Sequence, residues 1–87
     1  MARYRVLRWR GIPAQVRAQD ESGRVTLPLP DWFQQEIDRV AMRDGLAGTD
    51  DYLAGWEWSP DADRAGSAAH AAEAVVAELV AEWKPGQ

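Results

Sequence analysis

The apolar residues of this chain change period sharply at Pro28-Leu29-Pro30. Up to Leu27 they recur mostly at every second position, and over 31–44 and 67–83 at every third or fourth. The first period builds a strand with one buried face, and the second builds a helix with one buried stripe. Pro28-Leu29-Pro30 marks the change, because proline cannot donate to a central ladder and often precedes a helix. A sheet-forming segment followed by helices in 87 residues leaves room for one domain, 1–87, and points to the α+β class.

The first segment runs Arg3-Tyr4-Arg5-Val6-Leu7-Arg8-Trp9-Arg10, and its phase slips between Val6 and Leu7. Tyr4 and Val6 share a face with Arg8 and Arg10, whereas Leu7 and Trp9 share the other with Arg3 and Arg5. A bulge, or cover on both faces, produces such a pattern. Gly11-Ile12-Pro13 reads as a break. Ala14 to Gln19 then alternates, with Val16 inward and Gln15, Arg17 and Gln19 outward. Ser22-Gly23 reads as a turn, and Arg24 to Leu27 as a third strand with Val25 and Leu27 inward.

Asp31 is expected to cap a first helix, with Gln34 completing a capping box. Phe33, Ile37, Val40 and Ala41 form its stripe, and Asp44-Gly45 ends it. Thr49 caps a short turn, Asp50 to Ala54, closed by Gly55. Trp56-Glu57-Trp58 reads as a short strand with both indoles on one face, and Ser59 to Gly66 as a polar loop. Ser67 caps a final helix over 68–83, roughly 24 Å long at about 1.5 Å per residue. Its stripe is Ala68, Ala72, Val75, Val76, Leu79 and Trp83, and Pro85-Gly86 terminates it. The expected fold is therefore a two-layer α+β sandwich. A mostly antiparallel sheet of three to four strands carries two helices packed on one face. Phe33 and Trp83 should be mostly buried and Trp32 more exposed.

Composition narrows the chemistry. With no Cys and one His, thiol catalysis, thiolate metal sites and disulfides are excluded, and a cytoplasmic location is the simpler expectation. The Arg-rich start resembles neither a signal peptide nor a spanning segment. His70 stands three residues after Ser67, but Ser is the preferred helix cap and no acid is placed to orient the imidazole, so no catalytic residue is assigned. Asp61-Ala62-Asp63-Arg64-Ala65-Gly66 opens like a calcium loop and fails at Ala65 and Ala72, where further ligands are required. Neither a metal nor a cofactor is expected. Arg64, Gly66 and Ser67, at the start of the last helix, form a candidate site for a small anion or an anionic cofactor.

Charge is divided along the chain. Residues 1–19 carry five Arg and no acid, while the remainder carries 14 acids against five bases. A basic first strand could serve anion recognition, or its Arg could pair with the chain's own carboxylates. Nucleic acid is disfavoured by the acidic remainder and by the lack of an RNP-type Gly-aromatic pattern. Five Trp, at 9, 32, 56, 58 and 83, exceed what two helices can hide, which points to an indole at a contact surface. The outward sheet residues Arg8, Trp9, Arg10, Gln15, Arg17, Trp56 and Trp58 are the expected protein-partner site.

Tyr4-Arg5-Val6-Leu7-Arg8-Trp9 followed by Ile12-Pro13-Ala14-Gln15-Val16 resembles the opening of the small bacterial family described as virulence factor, related to a domain of conserved virulence factor C proteins. The likeness continues at Leu29-Pro30, Phe33-Gln34, Ile37-Asp38, Ala41-Met42, Thr49-Asp50-Asp51-Tyr52-Leu53, Trp56-Glu57-Trp58 and Gly66-Ser67-Ala68. The resemblance carries no catalytic residue. It implies a non-catalytic accessory or protein-interaction module, since in longer relatives the domain accompanies helical repeats. The family's association with tetrahydrofolate-dependent and corrinoid methyl-transfer genes implies a larger methyl-transfer or folate enzyme as partner.

Overall fold

A computed structural model describes residues 1–83. In chain order the elements are β1 (Ala2–Trp9), β2 (Ile12–Asp20), β3 (Gly23–Pro28), α1 (Asp31–Arg43), α2 (Asp50–Ala54), β4 (Trp56–Trp58), β5 (Ala62–Arg64) and α3 (Ala68–Glu82). The fold is α+β, as its periods dictate. Its sheet is antiparallel with five strands, one more than the upper expectation. The order is β3-β2-β1-β4, and β5 pairs with the same strand β1 further along it.

The added strand lies within Ser59–Gly66, where Ala62, Asp63 and Arg64 pair with Tyr4, Arg3 and Ala2. Three residues with little apolar content give no period to read, and the free edge of β1 supplies the order. Between β4 and β5, Ser59 spans the break. Its N–H donates to the Val6 carbonyl at 2.9 Å, and the Val6 N–H donates to Ser59 Oγ at 2.8 Å.

The β1–β2 hairpin is tighter than the expected break. Arg10 and Gly11 alone make the turn, with φ of 48° and 91°. Two consecutive positive φ values suit the right-handed twist of the strands they join. Ile12 and Pro13 therefore belong to β2, and both are buried. A bulge is present, one position later than the expected slip and on the other strand: Leu7 pairs with Gln15 but Arg8 pairs with Pro13, so Ala14 of β2 is the extra residue.

Helix α1 begins differently from expectation. Pro30 holds the cap position without a side-chain hydrogen bond, and Asp31 sits in the first turn, where its charge favours the helix dipole. Gln34 makes no capping box and instead donates to Asp38 Oδ1 at 3.0 Å. The other caps form as read: Thr49 Oγ1 accepts from the Tyr52 N–H, and Ser67 Oγ from the His70 N–H. Pro85-Gly86, the expected terminator of α3, lies outside the described residues.

The core is one cluster. Val6, Val16 and Ala18 of the sheet, Phe33, Ile37 and Ala41 of α1, and Ala68, Ala71, Ala72, Val75 and Leu79 of α3 belong to it. Helix α3 lies across β1, β2 and β3, while α1 packs against β2. The alanines in the first half of α3 leave little side chain to hold the helix off the sheet. Trp9 is fully buried, its Nε1–H donating to the Tyr52 carbonyl at 2.7 Å and its ring 5.4 Å from that of Tyr52. Phe33 is buried as expected and Trp32 stacks on it, half-exposed, with centroids 3.9 Å apart. Trp83 departs from expectation. It ends α3 in an extended conformation and is only half-buried, its ring edge-on to Phe33 at 6.0 Å.

Candidate functional site

Register decides which side chains meet on the sheet, because residues paired across antiparallel strands project to the same side. Val6 pairs with Val16, which pairs with Leu27, and this side turns to α3. The opposite side is read from the alternate positions. Arg3, Gln19 and Arg24 form one row, Arg5, Arg17 and Thr26 the next, and Trp58, Leu7 and Gln15 the third. Arg3, Arg5, Gln19, Arg24 and Thr26 are exposed, and Leu7, Gln15, Arg17 and Trp58 are half-buried. Among the described residues none of these nine side chains is fully covered. The chain thus presents an open sheet face that is basic at one end and apolar around Trp58 and Leu7.

The cations on this face are not equivalent. Arg5 Nε lies 3.0 Å from Asp61 and Arg3 Nε lies 3.8 Å from Asp63, so β5 and the residue before it neutralise the outer part of β1. The same two pairs engage the carboxylates of the calcium-like sequence. Among the described residues there is no group of three or more His or acidic side chains able to hold a metal. Arg17 has no such carboxylate among the described residues. Its guanidinium crosses β1 to lie over the Trp58 ring, 4.5 Å from the centroid. Its Nε is fully buried without an acceptor.

Of the expected partner residues, the fold brings together Gln15, Arg17 and Trp58. Trp56 follows one row further on the same side, and the rest do not join them on the surface. Trp9 is withdrawn from any surface by Tyr52 and Gly55, so it cannot be a contact residue. Arg8 pairs with Pro13 and Glu57 on the other side of the sheet and lines a cleft of about 320 Å³ against α3, with Glu78 and Glu82. Arg10 stands at the hairpin tip, ion-paired to Asp44 at 3.1 Å and 5.6 Å from the Trp9 centroid. Trp56 pairs with Trp9 and meets Tyr52 edge-on at 6.1 Å, so its ring is half-covered from the α2 side. Arg5 and Leu7 were missed, although their alternation with Val6 placed them opposite the core.

The expected anion site is already filled from within. At the start of α3 the Ala68 N–H donates to Asp20 Oδ2 at 2.7 Å, and Ser67 Oγ takes the His70 N–H at 3.2 Å. The other Asp20 oxygen accepts from the Ser22 N–H at 2.7 Å and the Gly23 N–H at 3.0 Å. These bonds, led by that from Ala68, hold the Asp20 carboxyl below its usual range. Arg64 is committed as well, donating to both carboxylate oxygens of Glu78. Gly66 packs against the His70 ring. Asp20 thus does for the helix what a bound phosphate would do, and Arg64, Gly66 and Ser67 do not form a free site.

The model of the family described as virulence factor matches residues 7–86, and the chain belongs to that family. No curated protein and no solved structure matches the chain.

Proposed function

We propose that this virulence-factor-family domain is a non-catalytic interaction module that attaches to a larger protein through the open face of its sheet. The observation that carries the reading is the Arg17–Trp58 stack. It places two residue types enriched at binding hot spots in contact on a face left partly exposed among the described residues. Leu7 and Gln15 lie beside it in the same row and supply apolar and adaptable polar contact. The outer positions of α3 instead offer Ala69, Glu73, Ala77 and Ala81, types depleted at interface centres. No helix is long and apolar enough to cross a membrane among the described residues.

The partner implied by the family resemblance is a larger enzyme of tetrahydrofolate-dependent one-carbon or methyl-transfer chemistry in the cytoplasm, with this chain as its accessory subunit. The test is co-purification. Tagged protein recovered from its native host and read by mass spectrometry should carry one such enzyme in fixed proportion. The purified domain alone should show no turnover of the enzyme's substrates. Recovery of the domain alone, under conditions that keep complexes intact, would count against the reading.

A further inference from the structure

We infer that the Arg17–Trp58 platform is a receptor for a carboxylate, and that the partner supplies an acidic side chain in an extended segment with an apolar residue beside it. This rests on the sheet face being the partner surface, and adds what chemistry that surface selects. Three observations converge on it. Arg17 has no carboxylate within ion-pair distance among the described residues, although the chain holds 14 acids and the adjacent Arg3 and Arg5 each have one. Its guanidinium carbon lies over an indole, 4.5 Å from the ring centroid, which restrains the fork before any ligand arrives. Its Nε–H is buried and has no acceptor among the described residues.

The geometry restricts how an anion can bind. A carboxylate can meet a guanidinium from the side, through Nε and one terminal nitrogen, or from the end, through both terminal nitrogens. Burial of Nε closes the side approach and leaves the end approach, where two parallel hydrogen bonds form. A cation held among half-buried neighbours has lost part of its hydration, which an end-on carboxylate would offset at the two terminal nitrogens while the Nε–H stays unpaired. The surroundings favour a peptide over a free ion. Leu7 and Trp58 form an apolar row next to that of Arg17. Side chains two positions apart in an extended segment project to the same side, roughly 6–7 Å apart, which matches the step between neighbouring positions on one face of a strand. Glutamate at one such position and leucine at the next would meet Arg17 and the Trp58–Leu7 row together. Arg24, exposed and without a carboxylate partner among the described residues, extends the positive end of the same face.

The test uses the whole chain, labelled with nitrogen-15, and a capped pentapeptide with glutamate at both ends, leucine in the centre and threonine between. Its counterpart carries glutamine in place of glutamate. The expected result is a saturable shift of the Arg17 side-chain and Trp58 indole signals with the acidic peptide. Binding of the glutamine peptide should be at least about tenfold weaker, the loss of roughly one charge-assisted bond pair. Arg17→Lys keeps charge but lacks the fork and should also bind about tenfold more weakly, while Arg39→Ala on α1 should bind as wild type. Equal affinity for the two peptides, shifts centred on Arg8 or Arg10, or unchanged binding by Arg17→Lys would overturn the inference. If the peptides fail while Trp58→Ala still abolishes partner recovery from the host, the interaction face stands and only its carboxylate selectivity falls.

Discussion

Replacing Gly55 by alanine tests how Trp9 is sealed into the core, because the sign of the effect is diagnostic. Gly55 has φ of −76° and ψ of −13°, values any residue adopts readily. At such a position Gly→Ala ordinarily stabilises by about 0.4–1 kcal/mol, through the loss of unfolded-state freedom. Here a Cβ would stand 2.6 Å from Trp9 Nε1, 3.0 Å from Cδ1 and 3.1 Å from Cε2. The indole has little room to yield, since it is fully buried and tied to the Tyr52 carbonyl at 2.7 Å. Overpacking costs about 1–3 kcal/mol, and displacement of the indole forfeits a hydrogen bond of about 0.5–1.5 kcal/mol. Taking the middle of each range and subtracting the entropic gain leaves a net loss of about 2 kcal/mol. A domain of this size has roughly 4–13 kcal/mol in total, and about 4–8 °C of Tm per kcal/mol, so Tm should fall by roughly 8–16 °C. Thermal unfolding followed by circular dichroism measures this directly. A Gly55→Ala protein with an unchanged or raised Tm would show that Trp9 does not press on Gly55.

Aromatic truncations should rank by burial. Trp9→Ala should cost about 3–5 kcal/mol, as large core aromatics do, while half-buried Trp83 and Trp58 should each cost clearly less; urea melts in which either of these matched Trp9→Ala would contradict the ranking. Asp20 gives a pH signature. Its carboxyl is held below the unfolded value of 3.8, so its contribution to stability is complete above that value and disappears as pH falls through the folded one. Asp20→Asn should therefore be less stable than wild type near neutrality, and the gap should narrow below pH 4; a pH-independent gap would assign the loss to something other than the ionised cap. Arg64→Ala should leave phosphate and sulfate without effect on Tm in both proteins, and a stabilisation by phosphate that this substitution removes would restore the anion site that Asp20 now fills.

The elements with strong local signals were legible in the sequence. Ser67 and Thr49 cap where their side chains suggest, and the alternation of Val16, Arg17 and Ala18 places the open face correctly. A bulge was legible too, although it falls between Leu7 and Arg8, not between Val6 and Leu7, and its extra residue, Ala14, lies on the partner strand. What stayed hidden depends on distant partners. Trp9 alternates with Leu7 and looks outward, but Tyr52 and Gly55, more than 40 positions away, close over it. Arg64 and Ser67 resemble an anion site until Asp20, 48 positions before Ala68, is brought to the same helix start. Strand β5 has too little apolar content to carry a period and forms because β1 offers a free edge. Asp31 lost its cap role because Pro30 already holds the extended backbone that the position requires.

The most direct test of the account compares partner recovery by four tagged proteins from the native host: wild type, Trp58→Ala, Arg17→Ala and, as a control on the outer face of α3, Glu73→Ala. All four should be folded monomers by circular dichroism and size exclusion before the comparison is made. The account predicts that Trp58→Ala and Arg17→Ala each reduce recovery of the partner by about tenfold or more, a hot-spot loss of at least roughly 1.4 kcal/mol, while Glu73→Ala matches wild type. Undiminished recovery by both sheet variants, or a loss with Glu73→Ala alone, would contradict it and move the interface to the helical side.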